Sequence, residues 1–175
     1  LYGVALDMAL IKEYKAILQK TLFQAEQQLP WRNGELTLGE KEPKVLSPKA
    51  LALTCRHYGI PCPSTTKEGS PECEAWENVY SEKFPWVKAM REYRKANILL
   101  QKLTGMERQS VDGVLPFSLL YFGAHTGRFT GSNRMNMQNL PGRKASGTPL
   151  RKVVVSRPGK VLCIIDWAQI EPRIL

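Results

Sequence analysis

Long apolar runs are missing from this 175-residue chain, and none approaches the ~20 residues a membrane-spanning helix requires. The opening LYGVALDMAL has no basic stretch ahead of an apolar one and no small-residue cleavage site, so neither membrane insertion nor secretion is indicated, and a soluble, intracellular protein is expected. Cysteine and histidine are few, four and two residues. Cys55, Cys62, Cys73 and Cys163 show no paired spacing, and together with His57 they fit no common zinc finger, so they read as reduced packing residues. No internal repeat or low-complexity tract is present. Acidic residues are scarcest towards the end of the chain. From His125 onward nine Lys and Arg face only Asp166 and Glu171, a net +7, whereas residues 1–124 hold sixteen bases against fourteen acids, a net +2. So localised a positive field suits a polyanionic partner such as nucleic acid, and a generic solubilising surface is the alternative.

What is present starts with 43% hydrophobic residues, enough to bury a core. After Asp7, a candidate N-cap, Leu10, Ile11, Tyr14, Ile17, Leu18, Leu22, Ala25 and Leu29 recur at three- and four-residue steps and predict a long amphipathic helix ended by Pro30. Trp31 to Val45 reads as loop or short strand. Ser47-Pro48 opens a second helix closed near Gly59, and Ser70-Pro71, with Glu72 and Glu74 in the first turn, opens a third towards Glu82. A fourth starts at Pro85 and is expected to stop near Leu103, before Gly105. Val114 to Phe122 is rich in strand formers. Lys152–Ser156 and Lys160–Asp166 flank an Arg157-Pro158-Gly159-Lys160 turn and predict a β-hairpin. Its second strand, Val161 to Ile165, is apolar at every position, which predicts cover on both faces and places Asp166 where the strand emerges.

A carboxylate at the end of a buried strand is rigidly held, as a Mg²⁺ site with a phosphate substrate requires, although an Asp in that position also serves turns and helix caps. Its neighbours narrow the choice. Asp166-Trp167-Ala168-Gln169-Ile170-Glu171-Pro172-Arg173 resembles the D-Y-S-Q-I-E-L-R segment, motif A, of family A DNA polymerases. Upstream, Thr126-Gly127-Arg128-Phe129 and Asn136-Met137-Gln138-Asn139-Leu140-Pro141 are similar to the family's T-G-R-L and N-L-Q-N-I-P elements, in the same order. Weaker likenesses reach the N-terminal half: Gly3-Val4-Ala5-Leu6-Asp7 to G-V-x-I-D, and Ser47-Pro48-Lys49-Ala50-Leu51 to S-x-K-Q-L. Gly59-Ile60-Pro61, Thr66-Lys67-x-Gly69 and Glu92-Tyr93-Arg94 also fall in the family's order.

The resemblance implies an α+β fold: a helical thumb-like region over residues 1–105, then a partial antiparallel palm over 106–175 that carries the primer-template motif and motif A. This fold is incomplete without the fingers and the remaining palm. It also implies an activity, template-directed addition of deoxynucleotides to a primer 3′ end by two-metal phosphoryl transfer. The cofactor would be two Mg²⁺ ions, with Asp166 and the carbonyl of Trp167 as ligands and the second carboxylate supplied by the downstream segment. Glu171 matches the glutamate that abuts the sugar of the incoming nucleotide and selects against a 2′-hydroxyl, or else it is a first-turn glutamate favouring the helix dipole. Arg128 matches the arginine that reaches the minor groove at the primer end, where a donor tests pairing geometry without reading sequence. Asn136, Gln138 and Asn139 suit sugar and base-edge contacts, or else form a polar loop packed on itself. Arg143 falls where the family places an arginine near the triphosphate. Lys144, Arg151 and Lys152 read as phosphate-backbone contacts or solvated charge.

The implied partners are primer-template DNA, deoxynucleoside triphosphates and the remaining polymerase segment, in the cytoplasm of a bacterial cell or a virus-infected host. There are departures. Trp167 stands for tyrosine and Pro172 for leucine, one extra residue separates Arg128 from Asn136, and the segment from Lys102 to Gly113 is shorter than the usual thumb tip. Leu175 falls inside the motif A helix, which points to a split gene, an insertion point or processing of a longer chain. No exonuclease carboxylate cluster is visible. A non-catalytic module that holds primer-template DNA without making bonds is the rival reading.

Overall fold

The computed structural model describes residues 3–39, 41–132, 140 and 148–163. The predicted α+β class is what forms, and the helix starts fall where their local chemistry put them. Strand β1 (Val4–Leu6) leads directly into α1 (Met8–Glu26), capped by the Asp7 carboxylate, which accepts from Leu10 N at 2.9 Å. Helix α2 (Pro48–His57) has Ser47 as N-cap, its hydroxyl accepting from Ala50 N at 3.3 Å. Helix α3 (Pro71–Tyr80) carries Glu72 and Glu74 in its first turn. Helix α4 (Pro85–Gln109) overruns the expected stop, because Gly105 does not end it. A glycine in a helix interior costs about 1 kcal/mol, but the turn it lies in buries Leu103 and Met106 completely, worth about 1.5–3 kcal/mol each.

Helices α1 and α4 form the spine and run antiparallel, since Lys15 near the start of α1 pairs with Glu107 near the end of α4, while Trp31, just beyond α1, packs on Trp86 at the start of α4. Their shared length serves two cores. One end, with α2, buries Ala25, Leu29, Trp31, Leu51, Cys55, Trp76, Trp86, Val87 and Met90. Trp86 is the hub, with ring centroids of Tyr58, Trp76 and Trp31 at 5.9, 6.0 and 6.1 Å. Among the described residues its indole N–H has no acceptor. Arg91 is 2% exposed, and its Nε donates to Glu77 Oε2 at 3.0 Å. The other end buries Leu6, Ile11, Tyr14, Leu18, Ala96, Leu99, Leu103, Met106, Leu115, Leu140, Leu150 and Val153.

That second core is the floor of a three-stranded antiparallel sheet, ordered β2 (Val114–Leu115), β1, β5 (Val154–Val155). The register pairs Val4 with Leu115 on one side of β1 and Leu6 with Val154 on the other. A separate ribbon joins β3 (Leu119–Leu120) to β4 (Thr130–Gly131). The predicted hairpin around residues 157–160 is corrected here. The turn does form, with Lys160 N donating to Arg157 O at 2.9 Å, Pro158 second and Gly159 at φ +70 third. But β5 takes β1 as its neighbour, Leu150–Val153 is a 3₁₀ turn, and Val161–Cys163 form no strand. An all-apolar strand needs cover on both faces, and here Val161 is 82% and Leu162 55% exposed. Residues 164–166 of that expected strand lie outside the described residues. From Trp31 to Val45 the described chain is turns and bends without a strand.

Candidate functional site

Of the residues singled out from sequence, Arg128 is described. Asn136, Gln138, Asn139, Arg143, Asp166, Trp167 and Glu171 lie outside the described residues. Arg128 sits in the nine-residue loop that joins β3 to β4, and that loop is tightly constrained. Gly127 N donates to Ala124 O at 2.9 Å and Ala124 N to Arg128 O at 3.2 Å, folding residues 124–128 back on themselves. Gly127 is at φ +76, and a Cβ there would also meet the Phe122 ring at 3.0 Å. At Gly123 a Cβ would come within 2.1 Å of the Thr130 hydroxyl oxygen. Below the loop the Ser118 and Ser132 hydroxyls hydrogen-bond across the ribbon, and Ser132 N donates to Ser118 O at 2.9 Å.

The consequence is an outward-facing loop with an exposed guanidinium and exposed rings. Tyr121 is 78%, Phe122 67% and Phe129 48% exposed, and the Tyr121 and Phe129 rings meet edge to face at 5.3 Å. Exposed aromatic faces on a loop that also carries an arginine offer stacking and hydrogen bonds to bases or sugars. The helical region pairs cations with its own carboxylates: Lys15 with Glu107, Arg32 with Glu26 and Glu42, Arg91 with Glu77. Arg151, Lys152 and Lys160 lie exposed beyond the second core. Arg151 also has a structural duty that the sequence did not reveal, since its Nε donates to Leu140 O at 3.4 Å. Leu140 is buried in the same core cluster as Leu150 and Val153. Arg157 similarly donates to Gly3 O at 3.1 Å and ties the turn beyond β5 to the start of β1.

The sequence profile described as DNA polymerase family A matches residues 9–175. The chain belongs to DNA polymerase family A. Among similar proteins of that family, DNA polymerase I of Caldicellulosiruptor bescii is 28% identical over 178 residues, covering 99% of this chain and 20% of that protein. DNA polymerase I of Pseudomonas aeruginosa is 32% identical over 135 residues, 74% of this chain and 15% of that protein. The chain thus spans about a fifth or less of these relatives. In fold it is similar to the POL domain of Pol1 from M. smegmatis, solved in complex with DNA primer-template and dNTP. The TM-score is 0.69 at 20% identity, covering 87% of this chain and 26% of that one. The family A assignment made from motif letters therefore holds, and so does the α+β class.

Proposed function

We propose that this family A chain supplies the thumb-like region (1–105) and the first palm portion (106–175) of a DNA-directed DNA polymerase, which adds deoxynucleotides to a primer 3′ end. The observation that carries this reading is the family match over residues 9–175, which runs from the helical region through motif A. The fold likeness to a polymerase domain captured with primer-template and dNTP supports DNA and nucleotide as partners. In this reading Asp166 and the Trp167 carbonyl, hard oxygen donors suited to Mg²⁺, hold metal together with a second carboxylate from the remaining palm. Bound metal would lower the cost of charge developing on the attacking and leaving oxygens. Glu171 lies against the sugar and excludes a 2′-hydroxyl, Arg143 reaches the triphosphate, and Arg128 with Asn136, Gln138 and Asn139 holds the primer end. The fingers and remaining palm, in the same polypeptide or a second one, complete the site. The compartment is the cytoplasm of a bacterial cell or of a virus-infected host.

Primer extension tests this with the chain alone, with the chain joined by a downstream palm-and-fingers segment, and with that pair carrying Asp166→Ala. Extension only in the unmutated pair supports the reading. A pair that extends nothing, yet shifts primer-template DNA in a salt-dependent way, replaces it with a non-catalytic DNA-holding module, which the basic C-terminal stretch favours.

A further inference from the structure

The chain between α2 and α3 is held in place by its own hydrogen bonds. Pro61 O accepts from the Trp76 indole at 2.7 Å, Ser64 N donates to Glu72 Oε1 at 2.7 Å, and Thr66 O accepts from Arg91 Nη1 at 2.5 Å. Between this segment, the start of α2 and α4 lies an open cavity of about 250 Å³. Three buried apolar side chains line it, Trp31, Leu51 and Met90, and the Trp31 indole N–H already donates to Val45 O at 3.2 Å. The lining hydroxyls are engaged too: Ser47 accepts from Ala50 N, Ser64 donates to Glu72 and Thr65 accepts from Lys67 N. Arg94 is the exception. Its Nη1 donates to Thr66 Oγ1 at 2.6 Å, and among the described residues it has no other hydrogen-bond partner and no carboxylate. Arg91, one turn earlier on α4, is paired with Glu77.

We propose that this cavity is a binding site for small arylalkyl carboxylates, the ring lying against Trp31, Leu51 and Met90 and the carboxylate on the Arg94 guanidinium. A guanidinium fork matches a carboxylate with two parallel hydrogen bonds and supplies the counter-charge. The size follows from volume: an apolar cavity of about 150 Å³ holds benzene, so this one admits a single ring with a short acidic arm. Because the walls are fixed before the ligand arrives, little ordering opposes binding. None of the residues assigned above to metal, nucleotide or primer takes part, so such binding needs neither metal nor DNA.

Cys62 is exposed and lines the cavity, its thiol donating to Pro63 O at 3.7 Å, and serves as reporter, with the exposed Cys163 as internal control. The full chain is titrated with 3-phenylpropionate, and N-ethylmaleimide labelling of the two cysteines is followed on the tryptic peptides His57–Lys67 and Val161–Arg173. A Kd below about 1 mM is expected for a ligand of this size. At ten times Kd the labelling of Cys62 should slow about tenfold and that of Cys163 should not change. The neutral 3-phenylpropanol, and acetate, which lacks the ring, should each need at least about tenfold higher concentration. Arg94→Gln should weaken 3-phenylpropionate by at least about tenfold, Arg94→Lys by less, with Cys62 in the unliganded variants labelled at the original rate. Leu46→Trp, which fills the cavity from its lining, should abolish protection. Absence of protection at 10 mM, equal protection by the alcohol or by acetate, or undiminished binding in Arg94→Gln overturns the proposal. Protection by inorganic phosphate or a short DNA duplex at lower concentration also overturns it, and assigns Arg94 to a phosphate instead.

Discussion

Trp86 and Tyr121 are both large aromatic residues, yet one is 5% exposed at the centre of a ring cluster and the other 78% exposed on a loop. The contrast extends to their regions. From α1 to α4 the chain supplies its own cover: Trp31, Tyr58, Trp76 and Phe84 enclose Trp86, and Glu77 answers the buried Arg91. From Val114 onward, Phe117, Leu119, Leu120, Tyr121, Phe122, Phe129, Val161 and Leu162 face outward, and bases outnumber acids. The helical region covers most of its large apolar side chains, Phe23 and Val79 being the most exposed, whereas the region from Val114 onward leaves more apolar surface and most of the net charge facing outward. Helices close their hydrogen bonds locally and then need one partner face, while two-residue strands depend on neighbours far away in sequence.

The largest effect should come from opening the self-contained side. Trp86→Ala is expected to cost about 3–5 kcal/mol, read by urea denaturation, because it empties the hub of the aromatic cluster; a loss below 1 kcal/mol would mean the cluster is not a unit. Next in size, Arg128→Ala should weaken primer-template binding by about 1 kcal/mol, roughly fivefold in Kd by fluorescence anisotropy, and lower the salt dependence. Unchanged binding would take Arg128 off the outward-facing side of the comparison. The smallest concerns the Tyr58 hydroxyl, which donates to Glu35 and is thereby pushed up to about 12. A raised value gives stability that is whole below the ordinary value near 10 and fades as pH climbs towards 12. The pair is largely solvated, so Tyr58→Phe should flatten the alkaline loss by less than about 1 kcal/mol.

The helical region was also the legible one. Asp7, Ser47-Pro48, Ser70-Pro71 and Pro85 mark helix starts through caps and fixed φ, chemistry confined to a few neighbouring residues. The end of α4 was misread at Gly105, since the burial that carries the helix onward involves α1 and β2, far away in sequence. The sheet was misread for the same reason: nothing local to Val154–Val155 says that its neighbour is Ala5-Leu6 rather than the strand after the next turn. At the candidate site the motif letters were enough to give the family. Arg151 read only as a charge, and its grip on the Leu140 carbonyl is visible only in three dimensions.

The central strand of the sheet is also the first to be made. Val4–Leu6 leave the ribosome well before their partners, Val114–Leu115 and Val154–Val155. At the usual ~5–20 residues per second, about 150 residues of synthesis delay closure by on the order of ten seconds. Meanwhile α1, α2, α3 and α4 can assemble around Trp86. The nascent chain therefore waits with a folded helical body and a tethered, unpaired β1, which makes that interval the natural window for chaperone capture.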